Sequence, residues 1–142
     1  MVSDRIRTGE PRPCSTRNAA RELIAAERPV LAAHGLTMWG YAVLSALDRG
    51  AMRTQAALAE AINADKTRII PTLDELQQRG YIERFPDPDD RRVRLLAITE
   101  NGRAVKDAAQ AEIQRGEERW LAELSAEERR VFLRALRRMA PD

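Results

Sequence analysis

The sequence predicts a mainly α-helical fold with one small β-hairpin. Ala, Leu, Arg and Glu are abundant, and these residues lose little side-chain freedom in a helix. Aromatic residues are only 4% of the 142 residues, whereas charged residues are 32%, a mixture typical of helical globular proteins. The helical spacing of apolar residues gives way to two extended runs, 81–85 and 92–98, which flank Asp87-Pro88-Asp89-Asp90. Pro at the second position of this tetrapeptide is typical of a β-turn.

The first third of the chain predicts a loose tail followed by two helices. Residues 1–14 contain Gly and Pro at positions that interrupt regular structure. A helix beginning at residue 15 or 16 is expected to end at His34-Gly35, and Pro29 is expected to kink it or to split it in two. Thr37 then caps the second helix.

Between residues 54 and 80, two short helices joined by a tight turn are predicted. Thr54 caps the first helix after a short extended piece at Met52-Arg53, Asn63-Ala64 forms the turn, and Asp65 caps the second helix. The apolar positions expected to face inward are Ala57, Leu58, Ala61 and Ile62 in the first helix, and Ile69, Leu73 and Leu76 in the second.

Two more helices are predicted after the hairpin. Thr99 caps a long helix, and Ser125 with Glu128 forms a capping box for the last one. A helix pair followed directly by a hairpin is typical of a winged helix-turn-helix, in which the second helix of the pair enters the major groove of DNA. We therefore predict a winged helix-turn-helix fold with additional helices on both sides.

Composition excludes several classes of protein. One cysteine and one histidine allow no internal disulfide and no zinc site without carboxylate ligands, and a single thiol fits a reducing cytoplasm. No apolar run reaches the roughly 20 residues that span a bilayer, and the polar N-terminus is not a secretory signal. Neither a Gly-rich phosphate loop nor a nucleophile elbow is present. We expect a cytoplasmic protein that has no membrane segment, metal or cofactor and is not an enzyme.

A series of short motifs between residues 36 and 103 carries a family resemblance. The motifs are Leu36-Thr37, Asp65-Lys66-Thr67, Leu73-Asp74-Glu75-Leu76, Arg79-Gly80-Tyr81-Ile82, the wing run Asp87-Pro88-Asp89-Asp90-Arg91-Arg92 and the exit Thr99-Glu100-Asn101-Gly102. In this order the sequence resembles the MarR family of transcriptional regulators. The wing with its Thr-x-x-Gly exit is the most specific part of the resemblance.

The resemblance implies a function and a domain organisation. It implies a sequence-specific, ligand-responsive repressor that binds double-stranded DNA at a palindromic operator as a homodimer. The corresponding segments are a tail at 1–14, an N-terminal dimerisation region at 15–36, a DNA-binding lobe at 37–99 and C-terminal dimerisation helices at 100–142.

The residues expected to contact DNA lie on the helix pair and on the wing. They are Thr54, Gln55, Lys66, Thr67, Arg68, Ile70, Pro71, Asp90, Arg91, Arg92 and Arg94. Asp90 would orient Arg92 towards the minor groove or a phosphate, although an ordinary solvated hairpin would carry the same charges. Ile70 and Pro71 stand where the family usually has polar or basic residues. They would touch thymine methyl groups, unless Ile70 packs inside and Pro71 is only a tolerated kink.

Effector sensing and partner choice stay open at this point. His34, Trp39 and Tyr41 are candidates for a small aromatic ligand, although Trp39 and Tyr41 are equally consistent with core or interface positions. Cys14 leaves a redox role open, although no tyrosine lies close to it in sequence. The net charge is only +2, and acidic and basic residues balance between residues 50 and 103. A winged-helix module that binds another protein is therefore the alternative function.

Overall fold

The computed structural model describes residues 16–50 and 53–139 and contains six helices and three short strands in this part of the chain. The elements are α1 (Thr16–Ala33), α2 (Met38–Arg49), β1 (Arg53–Thr54), α3 (Gln55–Ala61), α4 (Lys66–Gln78), β2 (Ile82–Pro86), β3 (Arg94–Ile98), α5 (Glu100–Leu121) and α6 (Ala126–Met139). This order confirms the predicted winged helix-turn-helix architecture. The predicted tail, Met52 and Cys14 lie outside the described residues.

Two glycines end helices as the sequence predicts. Gly35 and Gly80 have φ angles of +68° and +72°, the left-handed conformation that glycine adopts without steric cost. The next residue then bonds back into the helix, from Leu36 N–H to the Leu31 carbonyl at 2.8 Å and from Tyr81 N–H to the Leu76 carbonyl at 2.9 Å. Of the kink and the split predicted at Pro29, the split is excluded, because α1 continues through this residue. A proline costs the helix only one backbone hydrogen bond, and the remaining turns hold.

The hairpin pairs β2 with β3 antiparallel, and β1 joins the outer edge of β3. The pairing runs from Ile82 opposite Ile98 to Pro86 opposite Arg94. Strand β2 therefore begins and ends one residue later than predicted, and β3 begins two residues later than predicted and ends at the predicted residue. The predicted turn at 87–90 is also displaced. The hydrogen-bonded turn is Asp90 to Val93, closed at 2.9 Å by the Val93 N–H and the Asp90 carbonyl, while the Asp87 carboxylate accepts from the Asp89 N–H.

The core lies where α2, α3, α4, α5 and the sheet meet. Its members are fully or nearly fully buried, and they are Leu31, Leu36, Val43, Leu44, Leu47, Leu58, Ala59, Ile69, Leu73, Leu76, Ile82, Leu96, Ile98, Ala109 and Ile113. The predicted inner positions of α4 are confirmed. In α3 the prediction needs one correction, because Ala59 is buried while Ala61 is exposed.

The flanking helices leave a large apolar surface open. Helix α6 contains no buried residue. The exposed apolar side chains on α1, on the end of α5 and on the segment through α6 are Leu23, Ile24, Trp120, Leu124, Val131, Phe132, Leu136 and Met139. We call this set the flanking apolar surface.

No single helix in the described part of the chain is long and apolar enough to cross a membrane. Only Ala19–Ala33 and Met38–Arg49 taken together reach the length and composition of a span, and they are bent by 85° relative to each other.

Candidate nucleic-acid interface

Local hydrogen bonds fix the start of both helices in the α3–α4 pair. The Thr54 hydroxyl oxygen accepts from the Ala57 N–H at 3.1 Å, and the Asp65 carboxylate accepts from the Thr67 N–H at 2.9 Å. Asn63, at φ +53°, makes the tight turn between them. Thr54 and Gln55 are half-buried at the beginning of α3, beside the sheet, whereas Lys66, Thr67 and Arg68 are exposed on the first turn of α4.

Burial of one side of α4 decides which residues it presents outward. Ile69, Leu73 and Leu76 are buried, so the opposite side faces solvent. Ile70 is 42% exposed and Pro71 is also exposed. The alternative in which Ile70 packs inside is therefore wrong for this chain. Pro71 lies within a continuous helix.

An ion pair holds α4 against the first strand of the wing. The Arg84 guanidinium on β2 donates to the Asp74 carboxylate at 2.8 Å. The pair joins the middle of α4 to the hairpin, so the two elements that would meet DNA are neighbours. It also partly neutralises the Asp74 carboxylate, while Glu75, the other exposed acid of α4, lies 3.6 Å from the Arg79 guanidinium.

The wing presents three exposed arginines, Arg91, Arg92 and Arg94. Asp90 orders this tip through the backbone, because its carboxylate accepts from the Arg92 N–H at 3.0 Å. Within residues 16–50 and 53–139, none of the three guanidinium groups takes part in an ion pair, so they are available to phosphate groups. The expected contact between the Asp90 carboxylate and the Arg92 side chain is replaced by this backbone contact.

The Thr-x-x-Gly exit from the wing ties the end of α4 to the start of α5. The Thr99 hydroxyl donates to the Gly80 carbonyl at 2.6 Å and accepts from the Gly102 N–H at 3.1 Å. The Thr99 N–H donates to the Tyr81 carbonyl at 3.0 Å. Gly102 is buried, and a Cβ there would overlap the Tyr81 carbonyl oxygen. Packing therefore explains the glycine of the motif, since only glycine lets the start of α5 lie this close to the Tyr81 carbonyl oxygen.

A group of charged side chains joins α2 to α5, and it was not predicted from the sequence. The Lys106 ammonium, on a residue 6% exposed, lies 2.5 Å from the Asp48 carboxylate and 2.6 Å from that of Asp107. Arg103 Nε donates to the other Asp48 oxygen at 2.8 Å. These bonds from Arg103 and Lys106 lower the pKa of Asp48. Burial disfavours the charged Lys106, but its hydrogen bonds to Asp107 and Asp48 outweigh burial and raise its pKa.

The three residues proposed for ligand binding are not among those that line the cavity between α1 and α5. His34 Nε2 lies 2.7 Å from the Glu112 carboxylate and joins the end of α1 to α5. Trp39 is exposed, and Tyr41 is half-buried with a pKa that burial raises.

The cavity between α1 and α5 has a volume of about 200 Å³. It is lined by Leu23, Ala26, Glu27, Val30, Glu112, Ile113, Gly116, Glu117, Arg119 and Trp120. Burial, with a smaller effect of the nearby Glu117 carboxylate, raises the pKa of Glu27. Glu112 connects the cavity to His34, because it both lines the cavity and contacts the imidazole. Only the pairing of two distant helices creates this space, so no local pattern of residues indicates it.

The described residues contain no cluster of His, Cys, Asp and Glu that could hold a metal ion. A helix pair with an exposed second helix, next to a hairpin with exposed arginines, instead defines a DNA-binding protein of the winged helix-turn-helix class.

Comparison with known proteins identifies the family. The MarR family model matches residues 36–93. The transcriptional regulator HosA of Escherichia coli O111:H- is 33% identical over 104 residues, which cover 73% of this chain and 77% of HosA. The HTH-type transcriptional regulator YdgJ of Bacillus subtilis is 33% identical over 86 residues, 61% of this chain and 52% of YdgJ, so this match spans only about half of that relative.

The fold comparison agrees. The PcaV transcriptional regulator from Streptomyces coelicolor, solved in complex with its natural ligand, superposes with a TM-score of 0.66 at 28% identity, covering 98% of this chain and 96% of PcaV. The chain belongs to the MarR family and is a transcriptional regulator rather than an enzyme.

Proposed function

We propose that this protein is a ligand-responsive repressor that binds a palindromic operator as a homodimer. The observation that carries the proposal is the pairing of an exposed α4 face with unpaired wing arginines, held together by Asp74 and Arg84. Helix α4 would enter the major groove, which at about 12 Å is wide enough for a helix. The wing arginines would lie on the backbone or in the adjacent minor groove.

The remaining proposed contacts surround this face. Lys66 and Arg68 would bind phosphates on either side of α4, near the positive end of the helix dipole. Thr54 and Gln55, at the start of α3, would contact the backbone of the same groove. Because the total charge of the lobe is balanced, binding depends on the placement of these cations and should weaken steeply with salt.

The flanking apolar surface supports a homodimer. A 14-residue helix such as α6, without a buried residue, has little to stabilise it in water, because helices gain most of their stability from packing an apolar side. A second copy of the chain would cover α6 together with the exposed residues of α1 and α5. A two-fold dimer presents two copies of α4, which implies a palindromic operator with half-sites about one helical turn apart.

The cavity between α1 and α5 supports ligand control. Its lining combines apolar side chains with Trp120 and four charged residues, which suits a small aromatic ligand with a polar group. A ligand there would contact the helices that form the dimer and would displace Glu112 from His34. Trp39 and Tyr41 on α2 would respond only indirectly. A bound dimer would repress by covering promoter DNA in the cytoplasm, and the ligand would release it.

Fluorescence anisotropy with the intergenic DNA upstream of the protein's own gene tests the proposal. The protein is titrated at about 50 mM and about 200 mM salt against this duplex and against a shuffled duplex of equal length. The proposal predicts tighter binding to the upstream duplex and a large loss of affinity at the higher salt, with log K falling against log[salt] by a slope of about one per phosphate contact. Equal binding to both duplexes would contradict sequence-specific binding, and no binding at low salt would favour a protein-binding module.

A further inference from the structure

The outward side of α4 is apolar over its first two turns. Thr67, Ile70 and Pro71 are spaced three and four residues apart and therefore lie next to one another on the helix surface. Ile70 is 42% exposed although it is a large aliphatic side chain. We call these three residues the α4 apolar surface.

The polar groups in this area are already engaged within the protein. The Thr67 hydroxyl donates its proton to the Asp65 carboxylate at 2.9 Å, so it has no proton left for a base. Pro71 has no N–H, and the Asp74 carboxylate accepts from Arg84 at 2.8 Å. The side chains at the centre of the outward surface, over these two turns, thus offer no free hydrogen-bond donor to the edge of a base pair.

The charges around the α4 apolar surface indicate the kind of partner. Lys66 and Arg68 lie on either side of it, and both are exposed. The unpaired arginines of the wing lie beyond Arg84, which joins the wing strand to α4. An apolar strip between rows of cations matches the major groove of DNA, whose base edges lie between two rows of phosphates. A protein partner would require acidic residues on both sides of its own apolar surface.

In the major groove the one apolar group on a base edge is the C5 methyl of thymine. We infer that Ile70 and Pro71 read thymine methyl groups, so that each operator half-site carries A·T pairs where the first two turns of α4 lie. This inference rests on the proposed function, because it names the bases that the proposed DNA-binding surface prefers.

Removing only the methyl group tests the inference. A preferred duplex is first selected from random-sequence DNA by repeated binding to the full-length protein. Each half-site thymine is then replaced by uracil, which keeps the base pair and deletes the methyl. Burial of one methyl group corresponds to about a fourfold change in affinity, so uracil at a contacted position should raise Kd about fourfold.

Two variants assign the effect to the right residue. At one or more of the contacted positions, Ile70→Ala should bind the duplex with thymine and the duplex with uracil with equal affinity. The side chain that contacts the methyl group is absent from this variant. Gln77→Ala is the matched control, since Gln77 is exposed on the same side of α4, two turns further along. It should keep the fourfold preference for thymine. Because Ile70 and Gln77 are exposed, neither change should alter the thermal unfolding curve.

The outcomes separate the inference from the proposed function. If no duplex is enriched by selection, both are wrong. If a duplex is enriched but uracil binds as tightly as thymine at every position, or Ile70→Ala keeps the preference for thymine at all of them, the protein is a DNA-binding regulator and the inference alone is wrong. A selected half-site without A·T pairs in the segment under α4 also overturns the inference.

Discussion

Replacing Asp48 with alanine should destabilise the packing of α2 on α5 by about 2–3 kcal/mol. The Lys106 side chain is only 8% exposed, and its ammonium lies 2.5 Å from the Asp48 carboxylate. Asp48 is less exposed than Asp107, the other carboxylate in contact with this ammonium. Asp107 remains after the substitution, but its side chain is 58% exposed and its charge is screened by water. Removing one partner of a fully buried pair costs about 3–5 kcal/mol. The loss here is smaller because Asp107 stays, as does the side-chain oxygen of Gln110, which accepts from the ammonium at 3.4 Å. The pair with Arg103 adds little, because that side chain is half exposed to solvent.

Urea unfolding at one fixed protein concentration measures this loss, since a dimer's stability depends on concentration. Asp107→Ala is the control and should cost less than about 1 kcal/mol, as expected for an exposed ion pair. Adding Lys106→Met to Asp48→Ala should recover part of the stability, because no buried charge is then left unpaired. If Asp48→Ala costs less than about 0.5 kcal/mol, or if the two losses simply add, the ammonium is not held by Asp48 and the reasoning is refuted.

The same pair predicts how stability depends on pH. The pKa of Asp48 is lowered in the folded protein, so its contribution is complete above the unfolded value of about 3.9 and is lost as pH falls through the folded pKa. The pKa of Lys106 is raised, so its contribution is complete below about 10.4 and is lost as pH rises through the folded pKa. Asp48→Asn should therefore flatten the acid side of the stability curve, and an unchanged acid slope would contradict this assignment.

Three further predictions concern the DNA lobe, the dimer and the wing exit. Arg92→Ala should weaken operator binding and lower the slope of log K against log[salt] by about one for each phosphate that the wing no longer neutralises, without changing the unfolding curve. The control Arg115→Ala, at an exposed position of α5, should change neither the affinity nor the slope. Unchanged affinity for Arg92→Ala would exclude binding of DNA by this side chain. Deleting residues 125–142 should leave a monomer in place of the proposed dimer in sedimentation velocity and should abolish operator binding, and a truncated chain that still sediments as a dimer would refute the proposed role of α6. Gly102→Ala should cost on the order of 2–3 kcal/mol in thermal or urea unfolding, because its Cβ overlaps the Tyr81 carbonyl oxygen, and an unchanged midpoint would show that the junction can move aside.

Features determined by neighbours in sequence were predicted correctly. Thr37, Asp65 and the pair of Ser125 with Glu128 cap helices through bonds that span two or three residues, so the residue type and the position of the apolar run suffice to locate them. The sequence left the exposure of Ile70 open, and the structure places it on the outer side of α4.

Features that depend on distant contacts were not predictable. The bond between Lys106 and Asp48 joins residues 58 apart, and the bond between His34 and Glu112 joins residues 78 apart. The cavity beside Glu112 arises only when α1 packs on α5, and no local pattern encodes that packing. The turn of the wing is the exception among the local features: the backbone hydrogen bond closes at Asp90 to Val93 and not at 87–90, where the Asp87 carboxylate accepts from the Asp89 N–H.

The bonds of Thr99 and the close approach at Gly102 have a geometric consequence for the proposed dimer. They fix one end of α5 beside the end of α4, while the other end of this 22-residue helix, about 33 Å away, carries Trp120 and the cavity. A tilt of about 5° around the fixed end displaces the far end by about 3 Å over that length. In a two-fold assembly the same tilt in both subunits changes the separation of the two α4 helices, which has to match half-sites about 34–36 Å apart. In the proposed dimer, a ligand no larger than the cavity would thus change the distance between the two α4 helices and so the fit of the protein to its operator.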